Sequence, residues 1–568
     1  MFITNLQREF YQEIHGKQIL LLVNFDVDAI CASKILQDLF KHDNITYTLV
    51  PVQGIEDMVH AYKDNAEEIA YVVMINCGGM LDIVDLLEPE EKVTFFILDS
   101  HRPYDLCNIY SEKQVQILGE PPEDEKIQIP EYNDVFNDES SDEEDNLDDL
   151  SDDKNESVQA KRRRLQEAQI IKKRQRREWE QKRDELMFNY SQYSYYSKSS
   201  ALTAYEMTWQ ASRDSLDMIW WAIIGSTEQA LLNKVESTTN TLDTGFLQGH
   251  VSRLSHARRG DGNENQKSTM KITFEKDLKL ALYHHWTVED SLRHSMITSV
   301  ALRLWSIKGE QKMKQLLAEM GLPLDQSKQQ FSAMDLNLRN EFKDMVEKIA
   351  DKYEVGSVIG ASFTLHNGYR FKYCASDVVY AMLAVMESTS KERPPKLCFL
   401  EASSCLTRTN KDVLDKAIEK AKTMLVHIFK TAQSILELKQ VTNAGAYLYI
   451  VLSDSILHCH MFSHPHTLLM LAQFTLRAYV ASSRNKYKAA SIPLVASATY
   501  NEEKKTCLIV GIPPVSEEQP RSLFGRAFEQ AAKNTNSTLE ADYFDTTIAR
   551  LKIEDRPKFF DALAALMD

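Results

Sequence analysis

Along the first hundred residues, short apolar runs alternate with longer amphipathic stretches. "QILLLVNF" (18–25) is a continuous apolar run of strand length, and "AICASKILQDLFK" (29–41) places its apolar residues at helical spacing. "TYTLVPV" (46–52), "AYVVMIN" (70–76) and "VTFFILD" (93–99) are further buried-strand candidates, with helical stretches around 55–68 and 80–88. Strands that are apolar throughout and alternate with helices predict a parallel, doubly wound sheet with helices on both faces. From about 119 the alternation stops, and "GEPPEDEKIQIPEYND" leads into a segment too charged and too poor in apolar residues to pack. "KRRRLQEAQIIKKRQRREWEQKRDELMF" (161–188) contains neither Gly nor Pro and predicts one long, solvent-exposed helix. "EMTWQASRDSLDMIWWAIIGSTEQ" (206–229) is apolar at helical spacing, ends at Gly225 and is placed back in the first core. "SHARRGDGNENQKS" (255–268) predicts a flexible loop.

A predominantly helical region is expected over roughly 275–350. After 355 strands return, in "SVIGASFTLH", "KLCFLEAS", "AYLYIVLS", "IPLVASATY" and "TCLIVGIPP", interleaved with helices at 376–388, 411–435, 466–481 and 522–534. The expected fold class is therefore α/β: an N-terminal doubly wound parallel sheet, a helical insertion and a C-terminal α/β domain. The expected domains are 1–118 with 178–235, an acidic loop plus basic helix at 119–177, a mostly helical interaction module at 236–355, and a second α/β domain at 356–568. No internal repeat is visible.

Composition changes this picture in one place. The net charge of −17 argues against a polyanionic partner, but it is local. Residues 138–153, "DESSDEEDNLDDLSDD", hold ten acids and no base, so the remaining chain carries only −7. Eight cysteines without a CxxC pair suit free buried thiols in a reducing compartment. No apolar run approaches a membrane span and the first residues lack a signal-peptide pattern, so a soluble intracellular chain is expected, with no membrane partner.

Ligands of doubly wound sheets bind in the crevice outside the carboxyl ends of the strands. Asp26 and Asp28 follow the first strand, Asn76 follows "AYVVMIN", and Asp99, Ser100 and His101 follow "VTFFIL". Three neighbouring strand ends thus offer carboxylates and an imidazole to one place. Such oxygen-rich sets suit Mn²⁺ or Mg²⁺, and paired ions hydrolyse phosphoesters. The competing reading is structural, with Asp28 as an N-cap before "AICASKI" and the others bonded to strand ends.

The order D-x-D, a strand ending in D-x-G, then D-H-H resembles the DHH phosphoesterase superfamily, which includes RecJ nucleases. "NFDVDAICASKILQDLF", "INCGG", "LDSHRP", "KRQRREWE", "WWAIIGSTEQ", "LYHHWTVEDSL", "LAEMGLPL", "FSAMDLNLR", "ASDVVYAMLAVMES" and "FGRAFEQAA" resemble, nearly end to end, one eukaryotic branch of it, the cell division control protein 45 family. The resemblance implies a DHH domain followed by a DHH-associated-like domain. It also shows where the superfamily's site fails. Ala29 replaces the glycine of the first motif, Asn76 stands where a metal-bridging Asp belongs, and Ser100 replaces the first His of the third motif. The fourth-motif position falls near Glu228, and the GGGH loop has no counterpart, "RSLFGRAFEQAA" occupying that region. A binuclear site needs its bridge, so the expectation is a degenerate site with no catalytic residue, no metal and no cofactor.

The resemblance further implies a replicative-helicase subunit that joins the minichromosome maintenance hexamer and the GINS tetramer, with origin loading factors, replisome polymerases and single-stranded DNA as further partners. The alternative is an active Mn²⁺- or Mg²⁺-dependent nuclease or phosphoesterase. Two basic clusters, Lys161, Arg162, Arg163 and Arg164, then Lys172, Lys173, Arg174, Arg176 and Arg177, read as a bipartite nuclear import signal on a solvated charged helix, placing the chain in the nucleus. Ser141 and Ser151 precede acids and suit acid-directed kinases. "HCHMFSHPH" (458–466) suggests zinc, but reads better as a strand and loop. Trp286 and Trp305 lie in the amphipathic helical block, where most large residues must be core and aromatic residues left at the surface would serve as docking anchors.

Overall fold

The computed structural model describes residues 1–65, 69–121, 129–136, 158–260, 270–356, 358–367, 371–408, 410–453, 459–515 and 520–567. By internal contacts the chain divides into one body of residues 1–119 and 194–568 and a second of residues 120–193. The acidic run 138–153, with Ser141 and Ser151, lies outside the described residues.

The first body opens with β1 (Phe2–Ile3), β2 (Gln18–Asn24), α1 (Val27–His42), β3 (Thr46–Val52), α2 (Ile55–Asn65), β4 (Tyr71–Ile75), α3 (Ile83–Leu87), β5 (Thr94–Leu98), β6 (His101–Arg102), α4 (Leu106–Tyr110) and β7 (Val115–Leu118). The sheet order is β1-β7-β5-β4-β2-β3, with every pairing parallel. Ile19, Leu21 and Val23 of β2 face the core that holds α1, while Leu20 and Leu22 face a second core with Met58 of α2 and Ile83 of α3. The unbroken apolar run of β2 follows from this two-sided burial, and the doubly wound expectation holds.

The second body holds α5 (Tyr132–Val135) and α6 (Val158–Ser191). The long helix expected over 161–188 is α6, and Lys182 pairs with Asp134 at 2.6 Å. Of the import-signal residues, Lys173, Arg174, Arg176 and Arg177 are exposed; the side chains at 161–164 and 172 lie outside the described residues.

The first body resumes with β8 (Tyr195–Tyr196), α7 (Ser200–Gln210), α8 (Leu216–Leu231), α9 (Ser237–Gly260) and β9 (Met270–Leu278). Five short helices follow: α10 (Val288–His294), α11 (Met296–Leu302), α12 (Ile307–Glu319), α13 (Leu324–Ser327) and α14 (Leu336–Ala350). Next come β10 (Ile359–Asn367), β11 (Phe371–Cys374), α15 (Ala375–Met386), α16 (Pro395–Cys405) and α17 (Lys411–Glu437). β9, β10 and β11 form an antiparallel sheet in the order β11-β10-β9, so the helical stretch is an excursion between two paired strands. The chain ends with β12 (Thr442–Asn443), β13 (Leu448–Val451), α18 (Pro465–Ser482), α19 (Lys486–Ala490), β14 (Leu494–Asn501), β15 (Thr506–Ile512), α20 (Phe524–Thr535), β16 (Leu539–Glu540), β17 (Ile548–Lys552) and α21 (Arg556–Met567). Their mixed sheet has the order β12-β13-β14-β15-β17-β16. Cys507 and Ile509 on one face meet Phe524, Phe528 and Phe559, while Leu508 and Val510 on the other join the large central core.

Four local expectations are corrected. "KLCFLEAS" is not a strand but part of α16: two prolines start the helix, and Cys398, Phe399, Ala402 and Cys405 are buried at helical spacing while Leu397 and Leu400 stay exposed. The segment 206–229 is two helices, broken after Gln210 by a left-handed Ser212 and restarted by Ser215, whose hydroxyl accepts from Met218 N–H; α8 then runs through Gly225 to Leu231. The loop expected from 255 is helical to Gly260, because "SRLSHARR" carries no breaker. Of "ILHCHMF", residues 454–458 lie outside the described residues and Cys459–Ser463 form a 3₁₀ turn rather than a strand. Here Phe462 alone is buried, so there is no alternating face to pair.

Candidate functional site

The parallel sheet reverses direction of growth between β2 and β4, since the chain leaves β2 for β3 on one side and proceeds from β4 to β5 on the other. Asp26 follows β2, Asn76 follows β4 and Asp99 follows β5, so the reversal opens a crevice between their ends. Asp26, Asp28, Asn76, Asp99, Ser100, His101 and Glu228 are all buried.

Asn76 joins the parts. Its backbone takes the left-handed region (φ 52°), which Asn tolerates better than most residues, and its N–H donates to Leu98 C=O at 2.9 Å. The side-chain NH₂ donates to both oxygens of Asp26 (3.1 and 3.3 Å) and to Asp28 Oδ2 (3.2 Å). Its Oδ1 accepts from Ser100 N–H (3.1 Å), Ser100 O–H (3.3 Å) and Ser200 O–H (2.6 Å). Donor end toward carboxylates and acceptor end toward hydroxyls, the amide is satisfied on both sides.

Each carboxylate also has fixed donors. Asp26, not Asp28, caps α1, accepting from Ala29 N–H at 2.6 Å and from Asn24 Nδ2 at 2.6 Å. Asp28 instead serves the start of α7, accepting from Ser199 O–H (2.5 Å), Ser200 N–H (2.9 Å) and Ala201 N–H (3.0 Å). Asp99 accepts from Gly79 N–H (2.9 Å), His101 N–H (2.9 Å) and His101 Nδ1 (2.7 Å). Every oxygen of these three carboxylates therefore accepts at least one hydrogen bond from the protein. Burial raises the Asp99 carboxyl, but His101 and the two N–H donors outweigh it and hold it below the usual range. His101 is moved the other way: burial lowers it, yet Asp99, Asp545 and Asp26 raise it above 6.5. Asp26 is pushed up to about 6 by burial, with Asp28 and Glu228 adding to the rise and Lys234 opposing it.

Lys234 is the cation of this cluster. Its ammonium lies 2.8 Å from Glu228 Oε1 and 4.7 Å from the centre of the Tyr196 ring. Burial lowers it, but Glu228, Asp26 and Asp545 together raise it above its ordinary value, so it stays charged. Glu228 Oε2 is buried without a hydrogen-bond partner among the described residues. Tyr196 reaches the cluster because β6 and β8 pair, placing its ring 4.8 Å from His101, and its hydroxyl donates to Asp545 Oδ2 at 2.7 Å.

Next to the cluster a cleft of about 380 Å³ is lined by His101, Arg102, Lys234, Lys279, Arg477 and Asp545, among others. Arg477 meets the Met296 sulfur at 3.7 Å and no carboxylate among the described residues. Of the histidines of "HCHMFSHPH", His464 is engaged with Thr389 O–H at 2.6 Å and His466 with Glu387 at 2.8 Å, while His458 lies outside the described residues. Trp305 is core, and Trp286 stacks on His294 at 4.9 Å.

A model of the CDC45 family matches residues 19–157 and 120–566. The chain belongs to the CDC45 family. Cell division control protein 45 homologs of Mus musculus and Homo sapiens are each 39% identical to it, with all of both chains covered. A crystal structure of CDC45 from Entamoeba histolytica covers the whole of both chains with a TM-score of 0.70 at 22% identity, a likeness of fold. Against this CDC45 fold, sequence reasoning misses Ser199, Ser200, Tyr196, Lys234 and Asp545. "SSAL" is a readable helix start, so Ser199 was within reach. Lys234 and Asp545 carry no local signal, because each arrives from a distant segment.

Proposed function

We propose that the chain acts in DNA replication, in the nucleus, as a non-catalytic subunit of the eukaryotic replicative helicase. It would bridge the minichromosome maintenance hexamer and GINS, with ATP hydrolysis supplied by the hexamer. Full-length membership of the CDC45 family supports the replication half of this reading.

The observation that carries the non-catalytic half is the Asn76 amide, whose NH₂ is bonded to Asp26 and Asp28 together. A pair of divalent ions would need a bridging anion where this neutral donor lies, and a hydroxyl at Ser100 is a poor ligand in place of imidazole. The residues do not fit a binuclear metal site. Lys234 partly offsets the carboxylates' charge instead. Among the superfamily's positions, Asp26, Asp28, Asn76, Asp99, Ser100, His101 and Glu228 are then the remnant of a hydrolase site, now bonding strand ends to helix starts.

Two surfaces carry the binding. In the cleft, Lys279 and Arg477 suit phosphates, so a single strand is the ligand read there. In the helical module at 236–355, Leu242, Ile307, Leu324 and Leu336 are 46–81% exposed, which supports docking to the hexamer and GINS. Origin loading factors and replisome polymerases are the further partners this reading implies. The basic clusters of α6 serve nuclear import.

The convergence of Asp26, Asp28, Asp99 and His101 favours the second reading, a Mn²⁺- or Mg²⁺-dependent nuclease. Incubation of the purified chain with either ion should leave labelled single-stranded DNA and pyrophosphate intact. Product that disappears with Asp99→Ala would establish the second reading over the first.

A further inference from the structure

We infer that Asp277, His284 and Cys374 form a binding site for a zinc ion, built where β9 and β11 hand over to the segments that follow them. Asp277 lies near the end of β9, His284 in the turn after it, and Cys374 closes β11 just before α15. One ligand atom from each residue lies within 4.8 Å of the other two. His284 Nε2 and Asp277 Oδ2 are 3.3 Å apart, which is about the 3.3 Å edge of a tetrahedron with metal bonds of about 2.0–2.1 Å. A mixed N, O and S donor set is that of a borderline ion, whereas Mg²⁺ and Ca²⁺ prefer oxygen alone.

The surrounding groups orient these donors. Asp277 Oδ1 already accepts from Leu278 N–H (2.8 Å) and Tyr283 O–H (2.5 Å), while Oδ2 is held by His284 Nε2 at 3.3 Å, the contact an ion between them would replace. Cys374 Sγ has the hydroxyls of Ser362 and Thr364 at 3.0 and 3.7 Å, donors that suit a thiolate.

An independent observation points to a missing cation. Asp377, in the first turn of α15, is 2% exposed, and its Oδ2 has no hydrogen-bond partner among the described residues. It faces His285 Nε2, in the residue next to His284, at 3.6 Å, an ion-pair distance too long for a hydrogen bond. A buried carboxylate oxygen without a donor is costly, and a dication beside it supplies the charge it lacks. Three protein ligands leave a fourth position for water. Without the ion, burial and Asp377 push the Cys374 thiol up to about 12, so binding must displace its proton to solvent as the S–Zn bond forms. The site would tie the sheet from which the helical excursion departs to the start of α15.

The full chain, stripped of metal and then titrated with Zn²⁺ or Co²⁺, tests this. One ion per chain is expected, with thiolate-to-cobalt charge transfer and the visible bands of tetrahedral Co²⁺. Cys374→Ser should abolish the charge-transfer band, while Cys107→Ser and Cys459→Ser should keep it. Tyr283→Phe should weaken Zn²⁺ binding about tenfold. X-ray absorption of the unmodified zinc-loaded chain should show a single sulfur ligand, which keeps the test valid if Cys374→Ser does not fold. Absence of stoichiometric binding, a band that survives in Cys374→Ser, or a zinc shell without sulfur would overturn the proposal.

Discussion

Lys234 and Glu228 form a buried ion pair with its charge shared across Asp26 and Asp545, and breaking such a pair is far more costly than never having it. Lys234→Met should lower stability by about 3–5 kcal/mol in chemical denaturation, and adding Glu228→Leu should restore most of it. Asn76→Asp sets a third carboxylate against two others and should cost on the order of 3 kcal/mol at neutral pH, less in acid. Added Mn²⁺ should raise the melting temperature of that variant and leave the parent chain unmoved. The Asp99–His101 pair has two pH limits. His101 is raised above 6.5, so its contribution is whole below 6.5 and fades as pH rises through the raised value. Asp99 is lowered below 3.8, so its contribution is whole above 3.8 and fades as pH falls through the lowered value. Denaturation at a series of pH values should therefore show His101→Gln most damaging between 3.8 and 6.5.

At the scale of elements, Asp28 holds α7 to α1, and its place was readable only in part. The sequence shows an acid at a helix start, but it suggests Asp28 as the cap of α1, a role Asp26 takes. Nothing local shows that Asp28 accepts from a helix that begins at Ser200. Gly225 belongs to the same contact: a Cβ there would lie 2.6 Å from Asp28 Oδ1 and 2.7 Å from the Ala201 Cβ. Gly225→Ala should thus destabilise by about 1–3 kcal/mol despite alanine's better helix propensity, as a lowered denaturation midpoint. The strands β2, β4 and β5 were legible because burial on both faces leaves them almost wholly apolar, whereas β3, at the sheet edge, is exposed at Thr46 and Tyr47 and buried only at Val52, so the expectation of a buried strand there is corrected. β9 was not, since its middle is half exposed and its partner begins only at Ile359. In α16 the run "LCFL" looks like a strand until packing selects Cys398 and Phe399 and leaves Leu397 and Leu400 outside.

For the whole molecule, the crevice at the sheet reversal was legible as a convergence of Asp26, Asn76 and Asp99, each at a strand end. The groups that decide its chemistry were not: Lys234 lies beyond α8, and Asp545 comes from the C-terminal sheet region. With the carboxylates engaged by protein donors, Lys279 and Arg477 of the adjoining cleft are the residues that the proposed single-strand reading assigns to phosphates. Single-strand affinity should be weak and fall steeply with salt, and Arg477→Ala should weaken it with a shallower salt slope by fluorescence anisotropy.

The most direct measurement is strand separation by the minichromosome maintenance hexamer and GINS with and without this chain, the labelled strand being followed for both displacement and cleavage. Displacement that requires the chain, with the strand released at full length, is the predicted result. Displacement unchanged in its absence, or a strand shortened in a manner that depends on Asp99, would contradict the account.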